Sequence, residues 1–168
     1  DHEQRVALLL NDTVDYPVAF WGTLRAGCVA VPLNIYPTLP QYAYILADCR
    51  ARALVVDAAL ADTIAPVLDK LPRKPVVIVV GERHSGARAQ HANPESITRS
   101  AAEYGFRARP SGPSRNDAKN YDFETLIADA DSKPVTANTL SDEVAFWVYT
   151  SGSTGDPKGV KHVHSNLM

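Results

Sequence analysis

The run Tyr149-Thr150-Ser151-Gly152-Ser153-Thr154-Gly155-Asp156-Pro157-Lys158-Gly159 gathers two pairs of hydroxyl residues, three glycines and a lysine into one loop. It directly follows the apolar stretch Val144-Ala145-Phe146-Trp147-Val148. Glycine lets backbone N–H groups approach an anion closely, and successive N–H groups in a turn make a concave anion site. Ser and Thr hydroxyls add donors, and a lysine ammonium adds a compact positive charge suited to phosphate. The composition therefore points to a cradle for a nucleotide polyphosphate, with Thr150, Ser151, Gly152, Ser153, Thr154, Gly155 and Lys158 as its phosphate-binding residues.

Several familiar loops are excluded by spacing. The Walker pattern needs Gly, four residues and then Gly-Lys-Ser/Thr, but here Lys158 is followed by Gly159. The dinucleotide fingerprint fails because no glycine lies two before Gly155. Gly152-Ser153-Thr154-Gly155 is not the G-x-S-x-G elbow of a hydrolase, so Ser151 and Ser153 are not read as nucleophiles. His162 and His164 stand two apart with no third ligand near, and are read as structural or surface residues. Asp12, Asp15 and Asp48 are read as helix-end residues rather than paired carboxylates. Trp21, Tyr42, Tyr44 and Trp147 are read as packing residues.

The chain that must position this loop has 168 residues, 45% hydrophobic and 21% charged, which is enough to bury a sizeable core. Seventeen Lys and Arg against nineteen Asp and Glu give a net charge of −2, which argues against a nucleic-acid surface. No apolar run approaches the roughly 20 residues of a membrane span, and no signal peptide stands out. Cys28 and Cys49 fit neither a zinc site nor a disulfide framework; they read as reduced, packed thiols of a cytoplasmic protein.

Periodicity predicts strands over 6–10, 29–33, 53–56, 76–80 and 144–149, the first and fourth almost purely aliphatic, as expected for strands buried on both faces. Between them it predicts helices over 13–26, 41–49 and 60–71, then a short one over 123–128. Asn11 and Asp12 are expected to cap the first helix. Its inward face is expected to carry Val14, Val18, Trp21, Leu24 and Arg25, and Gly27 its C-terminus. Tyr42, Ile45, Leu46 and Cys49 form the apolar face of the second, and Ile64, Val67, Leu68 and Leu71 that of the third. Alternating strands and helices of this size imply an α/β fold, a mostly parallel sheet flanked by helices. Residues 81–120, rich in Arg, Ser, Gly, Pro and Ala, break the rhythm and are expected to form a flexible surface insertion.

Tyr-Thr-Ser-Gly-Ser-Thr-Gly-x-Pro-Lys-Gly-Val, matched from Tyr149 to Val160, resembles the signature of the adenylate-forming (AMP-binding) enzymes. These comprise acyl-CoA synthetases, aryl-CoA ligases, luciferases and the adenylation domains of peptide synthetases. Ala26-Gly27-Cys28-Val29-Ala30-Val31-Pro32-Leu33-Asn34 resembles an earlier segment of the same family, as do the opening strand and helix and His162, His164 and Asn166. The wording Asp12-Thr13-Val14-Asp15-Tyr16-Pro17-Val18-Ala19-Phe20 and Glu143-Val144-Ala145-Phe146-Trp147-Val148-Tyr149 is most similar to benzoate-CoA and related aryl-CoA ligases, from which 81–120 departs.

The resemblance implies an acid–CoA ligase that uses ATP, Mg²⁺ carried by the ATP, and CoA to activate an aromatic carboxylic acid such as benzoate. It implies that Lys158 offsets pyrophosphate charge as the one candidate catalytic residue. It also implies that 1–168 is part of a large N-terminal domain. The acyl pocket and the mobile C-terminal domain would then lie beyond Met168, and the chain alone would be inactive. Two alternatives stay open at this point: a non-catalytic nucleotide- or phosphate-binding module, and an inactive structural fragment.

Overall fold

A computed structural model describes residues 3–81, 120–130, 136–150 and 155–167. Strand β1 (Arg5–Leu9) leads to helix α1 (Asp15–Arg25), β2 (Val29–Pro32), α2 (Leu39–Asp48), β3 (Ala53–Asp57), α3 (Ala58–Lys70) and β4 (Val76–Val80). Next come β5 (Asn120–Asp122), α4 (Phe123–Ala128), β6 (Val144–Thr150) and β7 (Lys158–Val163), and a 3₁₀ turn (His164–Leu167) ends the described chain. The strands form one seven-stranded sheet in the order β5-β4-β3-β1-β2-β6-β7. Every neighbouring pair is parallel except β6–β7, which is antiparallel. The α/β class expected from the alternation is therefore the class observed.

Side chains alternate across a strand, so β1 feeds two cores at once. Ala7 and Leu9 join the face covered by α2 and α3, with Tyr42, Ile45, Leu46, Cys49, Ile64 and Val67. Leu8 and Leu10 join the opposite face, with Ala19 of α1 and Phe123 of α4. Placing helices on both faces is what right-handed crossovers produce when the chain first moves from β1 to β2 and then reverses towards β3 and β4.

Local chemistry fixes the helix ends. Thr38 precedes α2, and Gln41 Oε1 accepts from the Thr38 N–H at 2.8 Å, a capping-box contact that the sequence reading missed. At its other end Arg5 Nε donates to the Cys49 carbonyl at 2.7 Å, which satisfies a terminal acceptor with a cation. Asp122 caps α4 by accepting from the Thr125 N–H at 2.8 Å.

Helix α1 departs from expectation. It starts at Asp15 behind Val14, with no side-chain cap, so Asn11 and Asp12 do not cap it. Asp15 lies in the first turn, where its charge suits the helix dipole. The large residues Val14, Val18 and Trp21 are exposed, at 80%, 50% and 51%, and the buried ones are Ala19, Thr23 and Leu24. Small Ala19 and Thr23 let the helix sit close to the sheet, and the Thr23 hydroxyl returns its hydrogen to the Ala19 carbonyl at 2.7 Å. Leu24 is buried as expected and Arg25 is exposed, so bulk was only a partial guide to burial on this helix. Tyr44, also expected to pack, is exposed as well. The insertion expected over 81–120 lies outside the described residues except at its ends, and its last residue, Asn120, starts β5.

Cys49 is fully buried, and burial pushes its thiol up to about 11 from the ordinary 9.0. The unfolded thiol ionises first, so this contribution is complete below about pH 9 and is lost as pH rises towards 11. Unfolding free energies measured in urea should fall by about 1.4 kcal/mol per pH unit from this group across that interval. Cys49→Ala should flatten the slope between about pH 9 and 10, before Tyr42, held up to about 12 by burial, begins to contribute.

Candidate functional site

The signature run occupies the turn of the β6–β7 hairpin. Strand β6 is parallel to β2, pairing Ala30 with Phe146, so Thr150 emerges at the carboxyl end of the sheet. In open α/β sheets this is the edge where ligands bind. The strand order makes β1/β3 the switch point, but there Asp57 Oδ2 accepts from the Asn11 N–H at 2.5 Å and ties the two strand ends together. The signature run instead lies on the appended hairpin, at the same carboxyl edge of the sheet.

Strand β7 was not expected; its sequence Lys-Gly-Val-Lys-His-Val carries no alternating pattern, and it forms through its pairing with β6. Cross-strand partners run Thr150↔Lys158, Tyr149↔Gly159, Val148↔Val160, Trp147↔Lys161 and Phe146↔His162. Each side of the ribbon is fastened by aromatic contacts. The His162 ring stacks on Phe146 with centroids 4.5 Å apart and 5° between planes, and Phe20 of α1 meets Phe146 edge-on at 5.8 Å. The Lys161 ammonium lies 5.0 Å from the Trp147 ring centroid. Below the hairpin, the Asn166 side-chain carbonyl accepts from the Val163 N–H at 2.9 Å, and the His164 N–H donates to the Glu143 carbonyl at 3.0 Å. His162 thus lies in a strand and His164 in the 3₁₀ turn. Among the described residues no group of three or more His, Cys, Asp or Glu is placed to hold a metal.

Of the expected phosphate-binding residues, Thr150 and Lys158 stand opposite each other at the mouth of the hairpin, both exposed. Gly155 adopts φ +154°, a value that residues with a Cβ rarely take. Ser151, Gly152, Ser153 and Thr154 lie outside the described residues. Pro157 is buried, anchoring the turn just before Lys158.

Three residues that sequence reasoning did not single out for the site, Tyr149, Gly159 and Asp48, pack beside it. A Cβ on Gly159 would come within 3.1 Å of Tyr149 Cζ and 3.3 Å of its hydroxyl, so glycine is needed there to seat the ring. The Tyr149 hydroxyl in turn donates to Asp48 Oδ2 at 2.5 Å. Asp48 is the last residue of α2, at a helix end as the sequence reading had it. Burial first, and the Asp48 carboxylate second, hold the Tyr149 phenol well above its usual range, so it stays a donor.

The whole chain, residues 1–168, matches the AMP-binding enzyme family. The protein belongs to that family. It is 33% identical over 99% of its length to a 4-hydroxybenzoate–CoA/benzoate–CoA ligase of Rhodopseudomonas palustris and 30% identical over 99% to a benzoate–CoA ligase of Thauera aromatica. The crystal structure of the anthranilate CoA ligase AuaEII in complex with anthranoyl-AMP superposes on 98% of the chain with a TM-score of 0.73 and 26% identity. The chain spans about a quarter of the length of each of these relatives, 25% of the two ligases and 26% of AuaEII. In this AMP-binding member the signature run is therefore carried by an edge hairpin on a parallel sheet.

A methyl group at 159 has to push the Tyr149 ring back by a few tenths of an ångström, against the bond that holds it to Asp48. Gly159→Ala should therefore cost about 1–3 kcal/mol in urea unfolding. In a Tyr149→Ala background the same change should cost a few tenths at most. Equal losses in the two backgrounds would show that the ring is not the obstacle.

Proposed function

We propose that this chain is the phosphate-gripping part of an ATP-dependent, AMP-forming acid–CoA ligase for aromatic acids. One observation carries the reading: a hairpin presents Thr150 opposite Lys158 at the carboxyl edge of the sheet, on the family's signature. The relatives named for benzoate, hydroxybenzoate and anthranilate support an aromatic acid.

In the first step a carboxylate oxygen bonds to the α-phosphorus of ATP and the bond to pyrophosphate breaks. Negative charge grows on the departing group, and the protein lowers the barrier by fixing geometry and meeting that charge with preorganised donors. Backbone N–H groups of 151–155 and the hydroxyls of Thr150, Ser151, Ser153 and Thr154 hold the β- and γ-phosphates. Lys158 neutralises the pyrophosphate. Mg²⁺, carried by the ATP rather than by side chains of this chain, would add further charge compensation. In the second step the sulfur of CoA bonds to the acyl carbon and AMP leaves. We place the enzyme in the cytoplasm, in keeping with its two thiols.

In the complete ligase, Lys158→Ala should slow benzoate-dependent ATP–pyrophosphate exchange by about 100- to 1,000-fold. Thioester formation from supplied benzoyl-adenylate should change much less. Equal losses in both assays would remove Lys158 from the first step. Exchange supported by a long-chain fatty acid but by no aromatic acid would replace the substrate class.

A further inference from the structure

Asp48 stands where a carboxylate is unwelcome. It is the last residue of α2, at the negative end of the helix dipole, and the last turn carries no basic side chain. Its partner is 101 residues away: the Tyr149 hydroxyl, at 2.5 Å. A hydroxyl bonded to a carboxylate is among the stronger neutral–ion hydrogen bonds, and this one crosses from a helix on one face of the sheet to the strand that feeds the signature turn. The same phenol ring covers Gly159 on the return strand, 3.1 Å from where a Cβ would stand. Asp48, Tyr149 and Gly159 thus join α2, β6 and β7 one residue short of Thr150 and Lys158 on either strand.

We propose that Asp48 and Tyr149 are positioning residues for the ATP phosphates: together they set the separation and twist of the hairpin mouth, and hence where Thr150 and Lys158 stand. This rests on the ligase function proposed above. Neither residue touches a reacting atom in this role. Their effect is confined to the nucleotide because the pair is anchored to the sheet core, while its free end is the phosphate turn.

The test measures ATP–pyrophosphate exchange in the complete ligase, varying ATP and the acid separately. Tyr149→Phe, which removes only the hydroxyl, and Asp48→Ala should each lower kcat/KM for ATP about tenfold. The KM for the acid and the rate of thioester formation from supplied adenylate should stay within about twofold. Asp48→Asn keeps an acceptor oxygen and should restore most of the loss. The double variant Asp48→Ala/Tyr149→Phe should be no worse than either single one, since both remove the same bond. Val67→Ala, a core truncation in α3, should lower the thermal midpoint while leaving the KM for ATP unchanged, which separates positioning from general destabilisation. Unchanged ATP parameters in Tyr149→Phe and Asp48→Ala, alongside a strong effect of Lys158→Ala, would overturn this proposal and leave the ligase function standing. Unchanged ATP parameters in Lys158→Ala would overturn both. Additive losses in the double variant, or parallel losses for the acid, would show two independent structural effects and also overturn it.

Discussion

Strand β1 is hydrogen-bonded along both edges, to β2 from Arg5↔Val29 to Leu8↔Pro32 and to β3 from Val6↔Ala53 to Leu9↔Val56. Its Ala7 and Leu8 are fully buried on opposite faces. A strand so placed can exchange nothing with water, so its neighbours must be parallel, aliphatic and covered by helices on both sides. Each buried Leu or Val in this stack contributes about 1.5–3 kcal/mol. From this constraint follow the crossovers, the three layers and the common carboxyl edge. The hairpin inherits its orientation from them through the pairing of β6 with β2.

The hairpin itself is differently made. It is the one antiparallel pair of the sheet, and its return strand β7 is largely exposed. Burial supplies little of its order, so specific contacts replace it: His162 on Phe146 on one side, Lys161 on Trp147 and the Tyr149 ring over Gly159 on the other. Both strands of the hairpin can be held while only the connection between them changes sequence.

Much of this was legible in the residues. The buried strands announced themselves as aliphatic runs, and the bounds expected for β4 and α4 coincide with those observed. The signature turn was legible because its glycines, hydroxyls and lysine have few other uses in that order. Three things were not legible, each for a physical reason. The inward face of α1 is set by small residues, which hydrophobic periodicity does not weigh. Strand β7 owes its existence to pairing and not to its own pattern. The use of Asp48 depends on a partner 101 residues distant, a contact that tertiary folding alone creates.

The ring over Gly159 has a consequence for inheritance. Tyr149 and Gly159 lie in one contiguous run, so an exchange of the run carries both, but Asp48 lies outside it on another element. A drift at position 48 to a residue without an acceptor would leave a half-buried phenol without its partner in an otherwise intact motif. The signature would still read correctly letter by letter while its geometry had lost a support. Position 48 thus touches the motif without travelling with it.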